Sequence, residues 1–510
     1  MPEEILGRLK KKILPQWKVC FLSSMIVGLL AHLYKLTNWI PNWDSLVFRY
    51  DKQNMLELGR WFLSTAAAPS SYYDLPWLAG LMAIVYYAIG AVCICRMFEV
   101  RKNMTAALIG ATVVSFPCVT SVMMYNYATD AYAMSFMLAC IATLLMTAEK
   151  PSVFVSAVLI TFSVGIYQAY LTVTIMLLLA YLIMVSLHRD VTVKTLLVTC
   201  ARFLLTGILG MALYYGIFTV LLRITGTQLL DYQGFSDAMT LSDIDIWSSL
   251  YVAKESFFDY FFDFSQGLHI FGAINVLILA GAIIFYSVAV VKNKLHPWKF
   301  LILCVFVVML PLGASILCFV NSSIDFHNLM KMGFFVFYLL FILEYEHIEY
   351  KNKNFVAMKS WVILAAMVAM ISNQVIIANV SYHKLNMAYL KSYGTLIRIA
   401  DRLEQTEGAA ACDRILVLGA LPGSEAYSVD LHPEITGTTD AWILRADDEM
   451  VGQSVLCSAL NDYCGKTYTF LAGEEKQELL AKAELAKMDN WPEKDSICVV
   501  DGVILIKLSD

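Results

Sequence analysis

The sequence predicts a mainly α protein, a polytopic transmembrane helical bundle with a small α/β domain at its carboxyl end. Three observations carry that expectation. Of 510 residues, 59% are hydrophobic and only 15% charged, and the mean hydropathy is +0.64, well outside soluble-protein usage. Several uninterrupted apolar stretches approach the ~20 residues that a membrane-spanning helix needs. Basic residues collect at alternate gaps between these stretches: Lys10, Lys11, Lys12 and Lys18, then Arg96, Arg101 and Lys102, then Arg189 and Lys194, then Lys292, Lys294 and Lys299, then Lys351, Lys353 and Lys359. By the positive-inside rule these gaps are cytoplasmic and the intervening ones face outward. The outer gaps hold Asp44, Arg49, Asp51, Arg60, Asp130, Tyr167, Gln168, Asp231, Asp325, His327 and Lys331, which read as a site on the outer face.

Length and hydropathy place about eleven spans. They are Val19–Leu36, Leu75–Phe98, Met104–Met123, Thr129–Ala148, Pro151–Gly165, Ala169–Leu187, Leu196–Leu222, Phe271–Val291, Phe300–Val320, Met330–Glu344 and Met358–Val380. The basic start runs into the first span without a small-residue cleavage site, as expected of a retained signal anchor in a plasma-membrane protein. An odd number of spans with the amino terminus in the cytoplasm places the carboxyl terminus outside. Between the first two spans, Gln53 to Phe62 carries Met55, Leu58 and Phe62 on one helical face and Gln53, Glu57 and Arg60 on another. That pattern predicts a helix lying in the interface plane, with Arg60 at headgroup depth. The gap from Arg223 to Ile270 contains the turn formers Thr225-Gly226-Thr227 and Asp231-Tyr232-Gln233-Gly234, then the aromatic stretch Phe257 to Phe264. It is too apolar for simple solvation and is expected to lie on the bilayer surface.

Residues 1–380 thus read as the membrane domain, 381–405 as an amphipathic connecting helix and 406–510 as an extracytoplasmic α/β domain. In the last of these, Arg414 to Leu418 reads as a strand ending at Gly419 and Lys476 to Lys487 as a helix. Ile497 to Leu508 reads as a hairpin turning at Asp501-Gly502, a dipeptide suited to a tight turn.

Several function classes lose support at once. The formal charge of -5 comes largely from the acidic tail and provides no basic face for nucleic acid. Most of the 12 cysteines lie in apolar runs, where they behave as small hydrophobes. Cys412, Cys457, Cys464 and Cys498 in the tail lack metal-type spacing, and a Cys457 to Cys464 disulfide is the one pairing to consider. The chain has no G-x-x-x-x-G-K-[ST] loop, H-E-x-x-H motif or G-x-S-x-G elbow, and no span carries regularly spaced arginines. No cofactor is expected, because Arg and Lys alone can hold phosphate, and a divalent-cation requirement is left open.

The first outer loop concentrates Asp44, Arg49, Asp51 and Arg60. A carboxylate partly desolvated at an interface can act as general base toward a sugar hydroxyl, and a guanidinium can grip phosphate with two hydrogen bonds. The plainer alternative is a set of interfacial ion pairs with Trp43 and Trp61 as aromatic anchors. Asp130, at the outer end of the fourth span, is a functional carboxylate, a helix N-cap, or both. Tyr167 and Gln168 interrupt the double span from Pro151 to Leu187, where they can bond sugar hydroxyls or simply make the turn. His327 and Lys331, four apart, would share a helical face aimed at an anionic headgroup, or be a solvated histidine and a snorkelling lysine.

With these positions placed, the chain resembles the polytopic glucosyltransferases of the serotype-converting, O-antigen type, a branch of the GT-C class of membrane glycosyltransferases. The likeness rests on Asn42-Trp43-Asp44 followed by Gly59-Arg60-Trp61, on Tyr127-Ala128-Thr129-Asp130-Ala131-Tyr132 and on Ile166-Tyr167-Gln168, and covers about the first 380 residues. Paired aspartates expected at the start of the loop stand here as Trp43-Asp44, which leaves Asp44 and Asp51 both open as the principal carboxylate. The resemblance implies a hexose, glucose first, carried by a polyprenyl phosphate in the outer leaflet, and a hydroxyl acceptor on a cell-surface or lipid-linked glycan. It implies substrate contacts from Arg49, Arg60, Trp61, Asp130, Tyr167, Gln168, Tyr232, Gln233, His327 and Lys331. Asp44 or Asp51 would take the acceptor proton while Arg60, with Arg49 or Lys331, stabilises charge on the departing lipid phosphate, and a single displacement inverts the anomeric centre. Two other classes are kept beside it. A transporter or flippase of lipid-linked sugar would place its polar groups near the membrane midplane in repeated halves. A non-catalytic scaffold would show no dependence on Asp44 or Arg60.

Overall fold

Proline at the first helical position opens three of the long helices, at Pro15, Pro76 and Pro297, where its missing N–H removes no helical hydrogen bond. In the computed structural model the structure describes residues 13–230, 245–262, 269–320, 324–347, 353–419, 451–471, 473–481 and 488–510, together with 3, 7, 421, 435 and 437. With short helical turns left unlabelled, the helices of the membrane part are α1 (Pro15–Thr37), α2 (Pro76–Met97), α3 (Asn103–Ser115), α4 (Pro117–Met124), α5 (Thr129–Thr147), α6 (Val153–Ile166) and α7 (Leu171–His188). They continue as α8 (Val193–Thr225), α9 (Ile246–Phe262), α10 (His269–Lys292), α11 (Pro297–Ala314), α12 (Phe335–Glu346) and α13 (Lys353–Gln405).

Among the described residues nine helices are long and apolar enough to cross a membrane, or ten when the bent pair α3 and α4 counts as one. The bend of 40° falls at Phe116, which takes an extended conformation because Pro117 follows it. The predicted number was about eleven, and the difference is α6. Its 14 residues rise about 21 Å, less than a hydrocarbon core of roughly 30 Å. It nevertheless runs antiparallel to α5, with Ser156 Oγ donating to the Ala142 carbonyl at 3.1 Å and Ser163 Oγ to that of Ser135 at 2.9 Å. The chain is thereby returned to the level of Tyr132.

Small residues weld α1, α2, α3 and α5 together. A Cβ at Gly28 would meet Ile84 Cγ2 at 2.8 Å, one at Gly90 would strike the ring of Phe136, and one at Gly110 would strike the Cys20 carbonyl oxygen. Such close approach is how apolar helices gain contact where lipid competes equally for their surfaces. His32 Nε2 adds a hydrogen bond to the Val114 carbonyl, 2.9 Å, across α1 and α3.

One sequence expectation needs correction. Gln53 to Phe62 is not an interfacial helix: a single 3₁₀ turn, Leu56–Leu58, ends at Gly59 in the left-handed region (φ 72°). The aromatic stretch after Arg223 lies in α9 as far as Phe262, where Phe257, Tyr260 and Phe261 pack on Phe334, Phe337 and Tyr338, and residues 263 and 264 lie outside the described residues. The helix expected over 381–405 is present and continues the last span without a break, the two forming α13 of 53 residues.

Two compact units are distinguishable, one built chiefly from Met1–Asn38 and Asp51–Asn379, the other from Trp39–Tyr50 and the chain from Val380 onward. In the second unit, Leu46 joins a core with Leu396, Ile399, Leu403, Ile415, Val455 and Leu460. Its sheet has strands β1 (Arg414–Leu418), β2 (Thr469–Phe470), β3 (Ile497–Val500) and β4 (Val503–Lys507) in the order β2-β1-β4-β3. β1 is parallel to both β2 and β4, and β3 and β4 form the expected hairpin, with Asp501 (φ 49°) and Gly502 (φ 73°) both left-handed at its turn. Helices α14 (Val451–Cys464) and α15 (Gly473–Leu480) accompany the sheet, and residues 482–487 of the helix expected there lie outside the described residues. Cys457 and Cys464 are free thiols two turns apart on α14, a rise of about 10 Å that no disulfide spans.

Gly110→Ala is expected to cost about 1–3 kcal/mol of stability, because the obstructing atom is backbone and can yield only by separating α1 from α3. Thermal unfolding in detergent, beside Gly216→Ala at an open position, checks this.

Candidate functional site

The polar centre of the first unit is built around the turn that carries Arg60. An antiparallel bridge between Met55 and Arg60 closes the turn, and outside groups satisfy its free backbone. Gln168 Nε2 donates to the Leu58 carbonyl at 2.8 Å, Tyr214 Oη to that of Gly59 at 3.0 Å, and the Phe62 N–H to the Gly165 carbonyl at 2.9 Å. Gln168 also donates to Tyr214 Oη at 3.3 Å, so its amide holds the turn in place.

Anchored in this way, Arg60 points into the protein. Its Nη1 donates to Tyr132 Oη at 3.1 Å, and its guanidinium lies 4.8 Å above the ring of Tyr167. Tyr132 and Tyr167 stack on one another at 4.6 Å with 15° between their planes. Trp61, next in sequence, packs on Phe162 and against Gly165, where any side chain would meet its ring at 2.7 Å. Its indole N–H is buried without a partner among the described residues.

Asp130 is fully buried at the start of α5 and accepts hydrogen bonds from the hydroxyls of Ser70 and Ser71 and from the Ala131 N–H. The N-cap position belongs to Ala128, so the carboxylate fastens the Ser70-Ser71 loop instead of capping the helix.

His327 and Lys331 do not share an α-helical face, because His327 precedes a 3₁₀ helix, Asn328–Phe334, with a kink at Lys331. They are joined by electrostatics. Burial holds the His327 imidazole below its ordinary value of 6.5, Lys331 and Arg60 push it the same way, and Asp325 opposes them. The ring is therefore neutral at pH 7, and its Nδ1 is buried without a hydrogen-bond partner among the described residues. The Lys331 ammonium lies 5.7 Å from the ring of Phe326, with Asp259 and Asp325 in electrostatic reach.

Arg60, Trp61, Asp130, Tyr167, Gln168, His327 and Lys331 thus all belong to the first unit, and Asp51 opens the same loop, exposed, its carboxylate accepting the Gln53 N–H at 2.6 Å. Asp44 and Arg49 belong to the second. There Asn42 caps the short helix Trp43–Val47, placing Asp44 in its first turn. Arg49 is bound to Asp462 at 2.9 Å and lies over Trp39 and Tyr50 at 4.6 and 4.8 Å. Tyr232 and Gln233, like Asp231, lie outside the described residues. Among the described residues no three His, Cys, Asp or Glu side chains gather as metal ligands.

Sequence reasoning passed over Tyr214, Asp259 and Lys35. Asp259 stands in the run Phe257-Phe258-Asp259-Tyr260-Phe261, and an acid in an aromatic helix is a signal in itself. Lys35, buried in α1, donates to Asn126 Oδ1 at 2.8 Å with Asp74 in electrostatic reach, and a lysine inside a span was equally visible.

Because the folded state keeps His327 neutral, the unfolded chain binds the extra proton first as pH falls through about 6.5. Stability is therefore expected to decline on acidification through that range. In His327→Asn the decline should be shallower, as thermal melts across pH would show.

The family model described as Glucosyl transferase GtrII matches residues 33–340, more than half of the chain. The matched stretch contains Arg60, Asp130, Tyr167, Gln168, His327 and Lys331, and also Asp44 and Asp51. A search of curated proteins returned no match, and neither did a search of solved structures. Matched over that length and built from helices able to cross a membrane, the chain belongs to the GtrII glucosyl transferase family and is a multi-pass membrane glycosyltransferase.

Proposed function

We propose that this protein transfers a hexose, glucose by family, from a polyprenyl-phosphate donor to a hydroxyl of a cell-surface or lipid-linked glycan at the outer face of the plasma membrane, with inversion. The observation that carries this reading is the gathering of Arg60, Lys331 and neutral His327 at one end of the first unit, in a chain of the glucosyl transferase family. A guanidinium and an ammonium suit a phosphate, and the stacked, buried Tyr132 and Tyr167 hold that guanidinium in place.

Sidedness supports the outer face. Helices α2, α7 and α12 run from this end to an opposite end rich in Arg96, Arg101, Lys102 and Arg189, and basic ends stay in the cytoplasm. No nucleotide sugar is available outside the cytoplasm, so the energy for transfer has to arrive in a lipid-phosphate bond. The residues 1–380 would then be the transferase part and 406–510 an accessory extracytoplasmic domain.

In the reaction, the acceptor oxygen attacks the anomeric carbon, its proton passes to Asp44 or Asp51, and the bond to the phosphate oxygen breaks. Arg60 and Lys331 meet the charge left on the polyprenyl phosphate, and His327 can donate a hydrogen bond to it. Purified protein in nanodiscs, supplied with a synthetic polyprenyl-phosphate glucose and a glycan acceptor, tests this directly. One of Asp44→Asn and Asp51→Asn is expected to lower kcat by about 10²–10⁴ and Arg60→Gln by about 10²–10³. Full activity in both aspartate variants would reject the base assignment, and retention of anomeric configuration would reject the single displacement.

A further inference from the structure

The end of the first unit remote from Arg60 holds a cavity of about 340 Å³, within the size range of small-molecule sites. It lies among the last residues of α2, α7 and α12. The 18 residues of α7, which begins just after Tyr167 and Gln168 and ends at His188 in the cavity wall, rise about 27 Å, so the cavity and the Arg60 site lie at opposite ends of that helix. The proposed transfer makes no use of it.

Its polar wall comes from Arg101, Arg189, His188 and His347 together with the carboxylates Glu99 and Glu346. The two imidazoles lie face to face, 3.8 Å apart and within 6° of parallel. The two carboxylates are already engaged. Glu346 accepts the backbone N–H groups of Arg101 and Lys102, at 3.0 and 3.2 Å, and so closes the start of α3. Glu99 is paired with Arg189 at 2.6 Å. Glu99 itself sits in the left-handed region (φ 51°) at the end of α2, with its N–H on the Arg96 carbonyl and that of Val100 on the Cys95 carbonyl. Glycine is the usual residue at that position, and a glutamate there places a carboxylate on the Arg189 side of the cavity.

The guanidinium of Arg101 has no carboxylate partner among the described residues. At the neighbouring His347, Lys102, Lys359 and Arg189 act against a positive charge on the ring and Glu346 favours one. Met97, Phe98, Met184 and Val185 supply the apolar part of the wall, with Tyr181 beside them. Cations beside apolar surface at the end of membrane helices match an ester of phosphate better than a free carbohydrate or a nucleobase.

We propose that this cavity binds a phosphate group, presented by an anionic phospholipid of the leaflet opposite the Arg60 site, with Arg101 as its principal ligand and Arg189 and the imidazole pair beside it. The lipid tail leaves along the apolar wall. A soluble phosphate would use the same cations and differs only in lacking that tail.

Full-length protein is titrated with phosphatidylglycerol, phosphatidylcholine or inorganic phosphate and followed by native mass spectrometry and thermal unfolding. Phosphatidylglycerol is expected to leave a bound adduct and raise Tm more than phosphatidylcholine does. Arg101→Gln, an exposed side chain whose loss leaves the fold intact, is expected to weaken the adduct about tenfold or more. Val185→Trp, which fills the cavity without changing charge, should do the same. Lys194→Gln, a basic residue on the same end but outside the cavity, should change nothing and so excludes general attraction to the surface. Inorganic phosphate acting as strongly as the lipid, and losing its effect in Arg101→Gln, would overturn the lipid as the source while leaving the phosphate site standing. Equal binding of both lipids, or equal loss in Arg101→Gln and Lys194→Gln, would overturn the site. Sugar transfer is not the readout, so failure here leaves the proposed reaction untouched.

Discussion

Backbone that leaves the helix near a membrane has to find hydrogen-bond partners inside the protein, and the turn from Met55 to Phe62 depends on that requirement. The carbonyls of Leu58 and Gly59 are held by Gln168 and Tyr214, side chains from the α6 to α7 link and from α8. Once they are held, Arg60 has the Tyr132 hydroxyl and the Tyr167 ring before it. The rest of the polar centre follows from this anchoring. Residues that look like sugar ligands in the sequence do structural work first: Gln168 fastens a loop, and Asp130 fastens Ser70 and Ser71.

The electrostatics follow the same geometry. Burial above all keeps the ring of His327 uncharged against the pull of Asp325, and Lys331 and Arg60 act in the same direction as burial. Cations gathered out of water repel one another unless carboxylates or a bound anion offset them. Asp259 and Asp325 supply part of the offset at Lys331. A phosphate entering beside Arg60 and Lys331 would supply more, which makes such a cluster a better receptor for an anion than for a neutral sugar alone.

Periodicity and length made most of the bundle legible. The breaks between apolar runs, the bend before Pro117 and the hairpin at Asp501-Gly502 depend on local chemistry that a sequence displays. Other features depend on contacts between distant residues. Gln53 to Phe62 has the spacing of an amphipathic helix, yet Gly59 and the donors from Gln168 and Tyr214 make it a turn. α6 is short by composition and is recognisable as the return of α5 only from the Ser135 to Ser163 pairing.

Composition, hydropathy and the alternation of basic gaps, properties additive along the chain, determined the mainly α membrane bundle and the order of its helices. The tertiary structure decided which polar residues meet. It assigned Asp44 and Arg49 to the unit that holds Asp462, and Asp51 and Arg60 to the unit of the helices, although all four lie within seventeen consecutive residues, 44–60. The physical reason is that Leu46 finds its buried partners in Leu396, Ile415 and Val455, hundreds of positions away, and a short segment follows its hydrophobic contacts, which no local spacing records.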